Sequence, residues 1–270
     1  PSNGLPAFEY IELYNPSNDT ILLNGWRLNL NSYSLNLPAD SILPNQYAIL
    51  CSTSAVEAMS VYGKTIGVTS FPTLLNGGMT LKLFDPSGSL ISLVSYSDSW
   101  YGDDLKKEGG WSLERIDYQN LMEGKNNWRA SNSAAGGTPC AVNSVAAANP
   151  DITSPRVLSL EVVSDSTILL QFSEPMDSLM MTYTNNYDID NEISHPSSAS
   201  LVGGDYSMVL LVMPAKISST ILYNLCFSDA LTDFSGNHLI SDCIQFTLPQ
   251  TPVWNDIVIN EVLFNPNTGG

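Results

Sequence analysis

The chain has 270 residues, 43% of them hydrophobic, with 27 Asp+Glu against 10 Lys+Arg and a formal net charge of −17. That length suits two domains of ordinary size, and that apolar content excludes a chain disordered by composition. A sequence pI near 4.1 excludes nucleic-acid binding through a basic footprint and predicts repulsion from anionic lipid surfaces.

In chain order, the first signal is the Asn24-Gly25 turn. Ser54 with Glu57 has the spacing of a capping box ahead of Ala58, Met59, Val61 and Tyr62, which predicts a helix of about two turns. Asn76-Gly77-Gly78 and Asp85-Pro86-Ser87-Gly88 are turns between short strands. From 131 to 155 small residues and prolines replace periodicity, which predicts a domain end followed by a linker. Beyond it, Leu158, Leu160 and Val162 alternate with Val157, Ser159 and Glu161, and Ile168, Leu170 and Phe172 alternate with Thr167, Leu169 and Gln171. Alternation places one set of side chains on one face of a sheet. A second short helix is predicted from Asp177 to Tyr183. Gly203-Gly204 and Ser235-Gly236-Asn237 are turns around two more alternating runs, Tyr223-Leu225-Phe227 and Ile244-Phe246-Leu248. A last strand-like run, 257–264, precedes Asn265-Pro266 and a Gly end. Many short strands between such turns predict an all-β chain of two β-sandwiches in tandem. The abrupt opening at Pro1 reads as a trimmed segment of something longer, and no apolar run reaches membrane-helix length.

The first domain resembles a lamin tail domain, an Ig-like sandwich. The resemblance rests on Glu9-Tyr10-Ile11-Glu12-Leu13-Tyr14-Asn15, Asn24-Gly25-Trp26-Arg27-Leu28, Leu43 to Leu50, Leu81 to Asp85 with Gly88, Gly109 to Arg115, Trp128-Arg129, and Gly137-Thr138-Pro139. Cys140 stands where the family usually has Gly. The family opens with an "INE…NP" strand, which Pro1 comes too late to include. Ile259-Asn260-Glu261-Val262-Leu263-Phe264-Asn265-Pro266 resembles that strand. The second domain is similar to SbsA-type bacterial Ig-like domains through Phe172-Ser173-Glu174-Pro175-Met176-Asp177, Asn186-Tyr187-Asp188-Ile189, and Tyr223-Asn224-Leu225 followed by Asp233 to Asn237. The resemblance implies a lamin tail domain at 1–141, a linker at 142–151, an Ig-like domain at 152–249, and the start of a further lamin tail domain at 250–270. It further implies an exported, Bacteroidetes-type multidomain protein. The tail strand, with Ile257, Ile259, Glu261 and Leu263 in phase, is expected to pair with the first domain of the same or a neighbouring chain.

Chemistry-bearing residues are sparse. Cys226 and Cys243 each stand out of phase with the apolar residues of their runs, so neighbouring strands would let them form a cross-strand disulfide; two free thiols are the alternative. Cys51 with Cys140 is a less favoured pair. Asp103-Asp104, Glu9 with Glu12 and Asp188 with Asp190 match no calcium loop and read first as surface charge, so a cation would be adventitious. His195 and His238 have no nucleophile motif or zinc spacing beside them, so no catalytic residue, metal or cofactor is assigned. Trp100 and Tyr101 with Asp103 and Asp104 form the candidate surface site for a protein or glycan, while Trp26, Trp111 and Trp128 are expected in the core. Trp254 is expected to anchor the tail strand. Asp19-Thr20-Ile21, Asp40-Ser41-Ile42 and Asp177-Ser178-Leu179 are similar to an O-glycosylation triplet of exported Bacteroidetes proteins. These readings favour a non-catalytic extracytoplasmic module for spacing, adhesion or partner binding. The alternative is an accessory region of a larger exported nuclease or phosphoesterase. A nuclear lamin role would require a coiled-coil rod, and the second domain argues against it.

Overall fold

In the computed structural model, residues 4–121 and 124–264 are described; Asn265 and Pro266 of the expected tail motif lie outside them. The first unit runs through β1 (Tyr10–Tyr14), β2 (Ile21–Leu22), β3 (Arg27–Leu30), β4 (Tyr33–Asn36), β5 (Ser41–Ile42), β6 (Tyr47–Ser52), α1 (Val56–Met59), β7 (Thr65–Val68), β8 (Gly78–Phe84), β9 (Leu90–Ser97), α2 (Asp104–Lys107), β10 (Leu113–Arg115) and β11 (Trp128–Ala130). One sheet has the order β4-β3-β8-β9, the other β1-β6-β7, with β6 and β7 parallel. Between them lie Leu23, Leu28, Leu30, Ile42, Ala48, Leu50, Ile66 and Val68. The opposite face of β6 is also buried: Ile49 and Cys51 pack with Ala55 and Met59 beneath Tyr10, Tyr62 and Cys140. Segment 53–62 therefore covers the back of the sheet.

The second unit has β12 (Val157–Ser164), β13 (Thr167–Phe172), α3 (Ser178–Thr182), β14 (Tyr187–Ile189), β15 (Ser198–Val202), β16 (Met208–Val212), β17 (Tyr223–Phe227) and β18 (Ile244–Phe246). The sheets β12-β13-β16-β15 and β14-β17-β18 enclose a core that includes Ile168, Leu170, Phe172, Val209, Leu211, Tyr223 and Leu225. Both units are layered antiparallel sheets apart from one parallel pair, so the chain is all-β.

Local structure departs from the sequence at two places. Ser54 makes no cap bond; its hydroxyl lies 2.9 Å from that of Ser52, and a 3-10 turn at Thr53–Ala55 precedes α1. In β12 the register shifts between Val157 and Ser159, so Val157 replaces Leu158 against the core and Leu158 is 62% exposed. A bulge reverses the facing of the residues before it. By contrast, Asp177 caps α3 as a good N-cap should, its carboxylate accepting from the N–H groups of Leu179 and Met180. Gly78 has φ +139°, and a Cβ there would lie 2.6 Å from the Tyr96 carbonyl oxygen, so the Asn76-Gly77-Gly78 turn needs glycine.

Candidate functional site

The most developed polar arrangement lies where the two units meet. Segment 142–151, expected as a linker, is hydrogen-bonded to both units. Asn143 donates to the Arg115 carbonyl, Ala147 N–H to the Ile116 carbonyl, and Asn149 N–H to Asp117 Oδ2 at 2.9 Å. Asn127, fully buried, receives Asp117 N–H and the Asn149 amide on its own oxygen and donates to the Asp117 and Asn120 carbonyls. One peptide further on, the ties change owner. Asn237 donates to the Asp151 carbonyl, Ser235 Oγ to Asp151 Oδ2, and Ile240 N–H to the Pro155 carbonyl. Only Pro150 separates the residue held by the first unit from the residue held by the second, and its ring fixes φ. A second attachment joins β8 and β9 to the turn between β15 and β16. Leu90 N–H donates to Tyr206 Oη at 2.9 Å, and Lys82 Nζ to the Gly203 carbonyl at 3.2 Å. Two separated attachments resist both bending and twisting, which one flexible strand of chain cannot do.

Three carboxylates converge beside this joint: oxygens of Asp151, Glu174 and Asp233 all lie within 4.8 Å of one another. Asp233 is 4% exposed and organises its own turn, accepting from the N–H groups of Ser235 and Asn237 and from the Asn237 amide. The sequence hides this meeting because the three residues are far apart in the chain. The signal available was that Glu174 and Asp233 both fall in the motifs behind the second resemblance. The acidic pairs singled out from sequence do not join a third ligand among the described residues. Asp103 caps α2, Glu9 accepts from Leu74 N–H, and Asp190 holds Asn224, whose bonds lower its pKa.

A second buried acidic group sits on the back of β1. Glu114 is 4% exposed and accepts from Thr138 Oγ1 at 2.8 Å and Ser144 Oγ at 2.7 Å. Glu12 accepts from Cys140 N–H, yet burial, aided by the Glu114 charge, pushes its pKa up to about 7. Burial likewise raises Tyr10 to about 12 and Cys140 to about 11. The Cys140 peptide thus ties the end of the first unit to its first strand.

The candidate surface site is placed differently from its sequence reading. Trp100 and Tyr101 are half-buried; Tyr101 Oη donates to the Trp111 carbonyl, and Trp100 lies against Gly124. Asp103 is exposed but engaged as the α2 cap, and Asp104 is exposed in the first turn of that helix. The four residues share one corner without forming an open aromatic platform. Trp26 packs on the core as expected, whereas Trp111 and Trp128 are half-buried beneath Lys106 and Arg115. Each histidine places Nδ1 on a backbone carbonyl, His195 on Tyr187 and His238 on Asp229. Cys226, on β17, and Cys243, immediately before its partner strand β18, form a disulfide, while Cys51 and Cys140 are thiols.

The described tail residues 257–264 do not pair with a strand of their own chain. Residues 257–264 belong to no strand; Ile257, Ile259 and Leu263 are 84%, 87% and 75% exposed, Glu261 is exposed, and Trp254 anchors nothing at 90% exposure. An extended segment without an edge to pair with leaves its peptide groups to water.

The comparisons agree with this architecture in part. Residues 1–98 match the model of the Lamin Tail Domain family, 98 of the 270 residues. A search of curated proteins gives no match. Among solved structures, the N-terminal part of the bacterial S-layer protein SbsC is 17% identical with a TM-score of 0.31, over 35% of this chain and 23% of that one. SbsC domains 1–6 give 18% and 0.33, over 38% of this chain and 14% of that one. The chain therefore spans less than a quarter of the length of either, and at these scores the likeness carries no functional argument.

Proposed function

We propose that this chain is a non-catalytic, extracytoplasmic β-sandwich module that works as a rigid spacer with partner-binding surfaces. The observation that carries the reading is the doubly attached joint: a spacer transmits position only if its domains hold a fixed angle. The cross-strand Cys226–Cys243 disulfide supports an oxidising compartment. Engagement of both histidines with backbone, away from any activated nucleophile among the described residues, supports a role without chemistry. The tail gives a second, compatible reading as a strand for a neighbouring chain. Asn15 N–H bonds the Gln46 carbonyl, so in β1 the peptides of Ile11 and Leu13 turn toward β6 and those of Tyr10, Glu12 and Tyr14 turn outward.

Spin labels at Ser32 and Ala215, both exposed, test the spacer by pulsed dipolar distance measurement. A single narrow distance distribution is expected, broadened by Tyr206→Phe combined with Lys82→Ala. A broad distribution in the unaltered joint would overturn the reading, as would turnover of nucleic acid or phosphoesters by the purified chain.

A further inference from the structure

Strand β1 lies at the edge of its sheet, with β6 as its ladder partner. An edge strand has hydrogen bonds on one side alone. Its last residue, Tyr14, sits opposite Tyr47 of β6. Asn15 N–H bonds the Gln46 carbonyl, so the adjoining Tyr14–Tyr47 pair is a non-hydrogen-bonded one, where side chains approach most closely. Ile11 and Leu13 point into the core, so both tyrosines stand on the opposite face of the sheet. Their rings stack, with centroids 4.5 Å apart and planes 25° from parallel, and both are half-buried. Tyr118, 49% exposed, meets Tyr14 at 5.5 Å and 75°. The other ring contacts among the described residues pair a tyrosine with a phenylalanine. The first unit also has no covalent staple among the described residues, since Cys51 and Cys140 are thiols.

We propose that Tyr14 and Tyr47 are a modification site, coupled by oxidation into a cross-strand dityrosine that fastens β1 to β6. The reaction needs a one-electron oxidant, which a haem peroxidase with hydrogen peroxide supplies. Each phenol gives up one electron and its hydroxyl proton, and the peroxide O–O bond breaks to leave two waters. The two phenoxyl radicals then form a bond between one Cε of each ring. Each of these Cε atoms loses its hydrogen as a proton, and each oxygen regains a proton from water, which restores both phenols. The net change is two hydrogen atoms transferred from the protein to the peroxide. Stacking selects this pair. The unpaired electron of a phenoxyl occupies the ring π system, perpendicular to the ring plane, so rings lying face to face overlap. At 75° the π systems of Tyr14 and Tyr118 are close to orthogonal. The new bond closes the chain between residues 14 and 47 into a loop, and a cross-link of that kind lowers the entropy of the unfolded chain as a disulfide does.

The full chain at low micromolar concentration, treated with a haem peroxidase and hydrogen peroxide and then digested, tests this by mass spectrometry. The expected product runs as a monomer on a denaturing gel and shows dityrosine fluorescence. Its linked peptides carry Tyr14 and Tyr47 and are lighter by two hydrogens than their sum. The urea midpoint of the first unit rises. Tyr47→Phe keeps a stacked ring but offers no phenol, so the intramolecular link is lost, whereas Tyr118→Phe retains it. The same treatment in concentrated urea, where the strands are apart, shows no preference for this pair. A folded chain that forms no intramolecular link in a mixture that couples free tyrosine overturns the proposal. A link from Tyr14 to Tyr118, or between two other tyrosines, overturns it too, as does a Tyr14–Tyr47 link made equally well in urea. The spacer reading does not depend on this bond.

Discussion

Glu12 offers the sharpest test of the electrostatics of the first unit. Its carboxyl has a folded pKa of about 7 against an ordinary 4.5, because burial penalises the anion and Glu114 adds repulsion. A raised folded pKa means that the folded state holds the proton more tightly than the unfolded state. The associated stability is fully present below pH 4.5 and is lost as pH rises to about 7 and beyond. The difference of about 2.5 units corresponds to about 3 kcal/mol at pH 8, as an order of magnitude. Glu12→Gln keeps an oxygen to accept from Cys140 N–H but never ionises. The variant should match the parent near pH 4 and exceed it by up to about 3 kcal/mol at pH 8. Urea titrations followed by tryptophan fluorescence suit the measurement, since Trp26, Trp100, Trp111 and Trp128 all lie in the first unit. The reasoning fails if the difference between the two proteins is independent of pH, or if the variant is the less stable one at pH 8.

The second unit should respond to its disulfide. Cys226→Ala with Cys243→Ala opens a closed loop of 17 residues, and chain entropy puts the loss near 3 kcal/mol, read by unfolding at circular dichroism wavelengths. Asp177→Ala removes the cap of α3 and should cost about 1 kcal/mol in the same assay, whereas Asp177→Asn should retain most of it. Asn127→Ala leaves buried partners unsatisfied and should cost about 2–3 kcal/mol in the first unit while broadening the distance between spin labels on the two units.

The strands of the second unit were legible because alternation and burial agree: Ile168, Leu170 and Phe172 are all within 1% of full burial. Where a bulge intervened, alternation misled, since Leu158 and Leu160 are not in phase across the register shift in β12. The hydrogen bonding of the joint was hidden for a different reason. Small polar residues with proline have the composition of a flexible linker, yet Asn143 and Asn149 are ligands for backbone groups that become available only once β10 and β11 have formed. Cysteine phase narrowed the disulfide to two outcomes; the direct pairing of β17 with β18 decided it.

The charge of −17 has a structural origin in the number of turns. Turns between short strands hold peptide N–H groups that lack a ladder partner, and a carboxylate can accept two or three of them at once. Asp85 takes the N–H groups of Ser87 and Ser89, Asp233 those of Ser235 and Asn237, Asp103 those of Leu105 and Lys106, and Asp177 those of Leu179 and Met180. A lysine cannot do this work, because an ammonium only donates. Such carboxylates need no cationic partner, and the ion pairs among the described residues are few and exposed, as at Lys107 with Asp98 and Lys216 with Asp165. An all-β chain built from many short strands therefore accumulates acid faster than base. Read as a uniform acidic skin, the charge would give the carboxylates no individual roles; the structure instead assigns many of them to particular turns and caps.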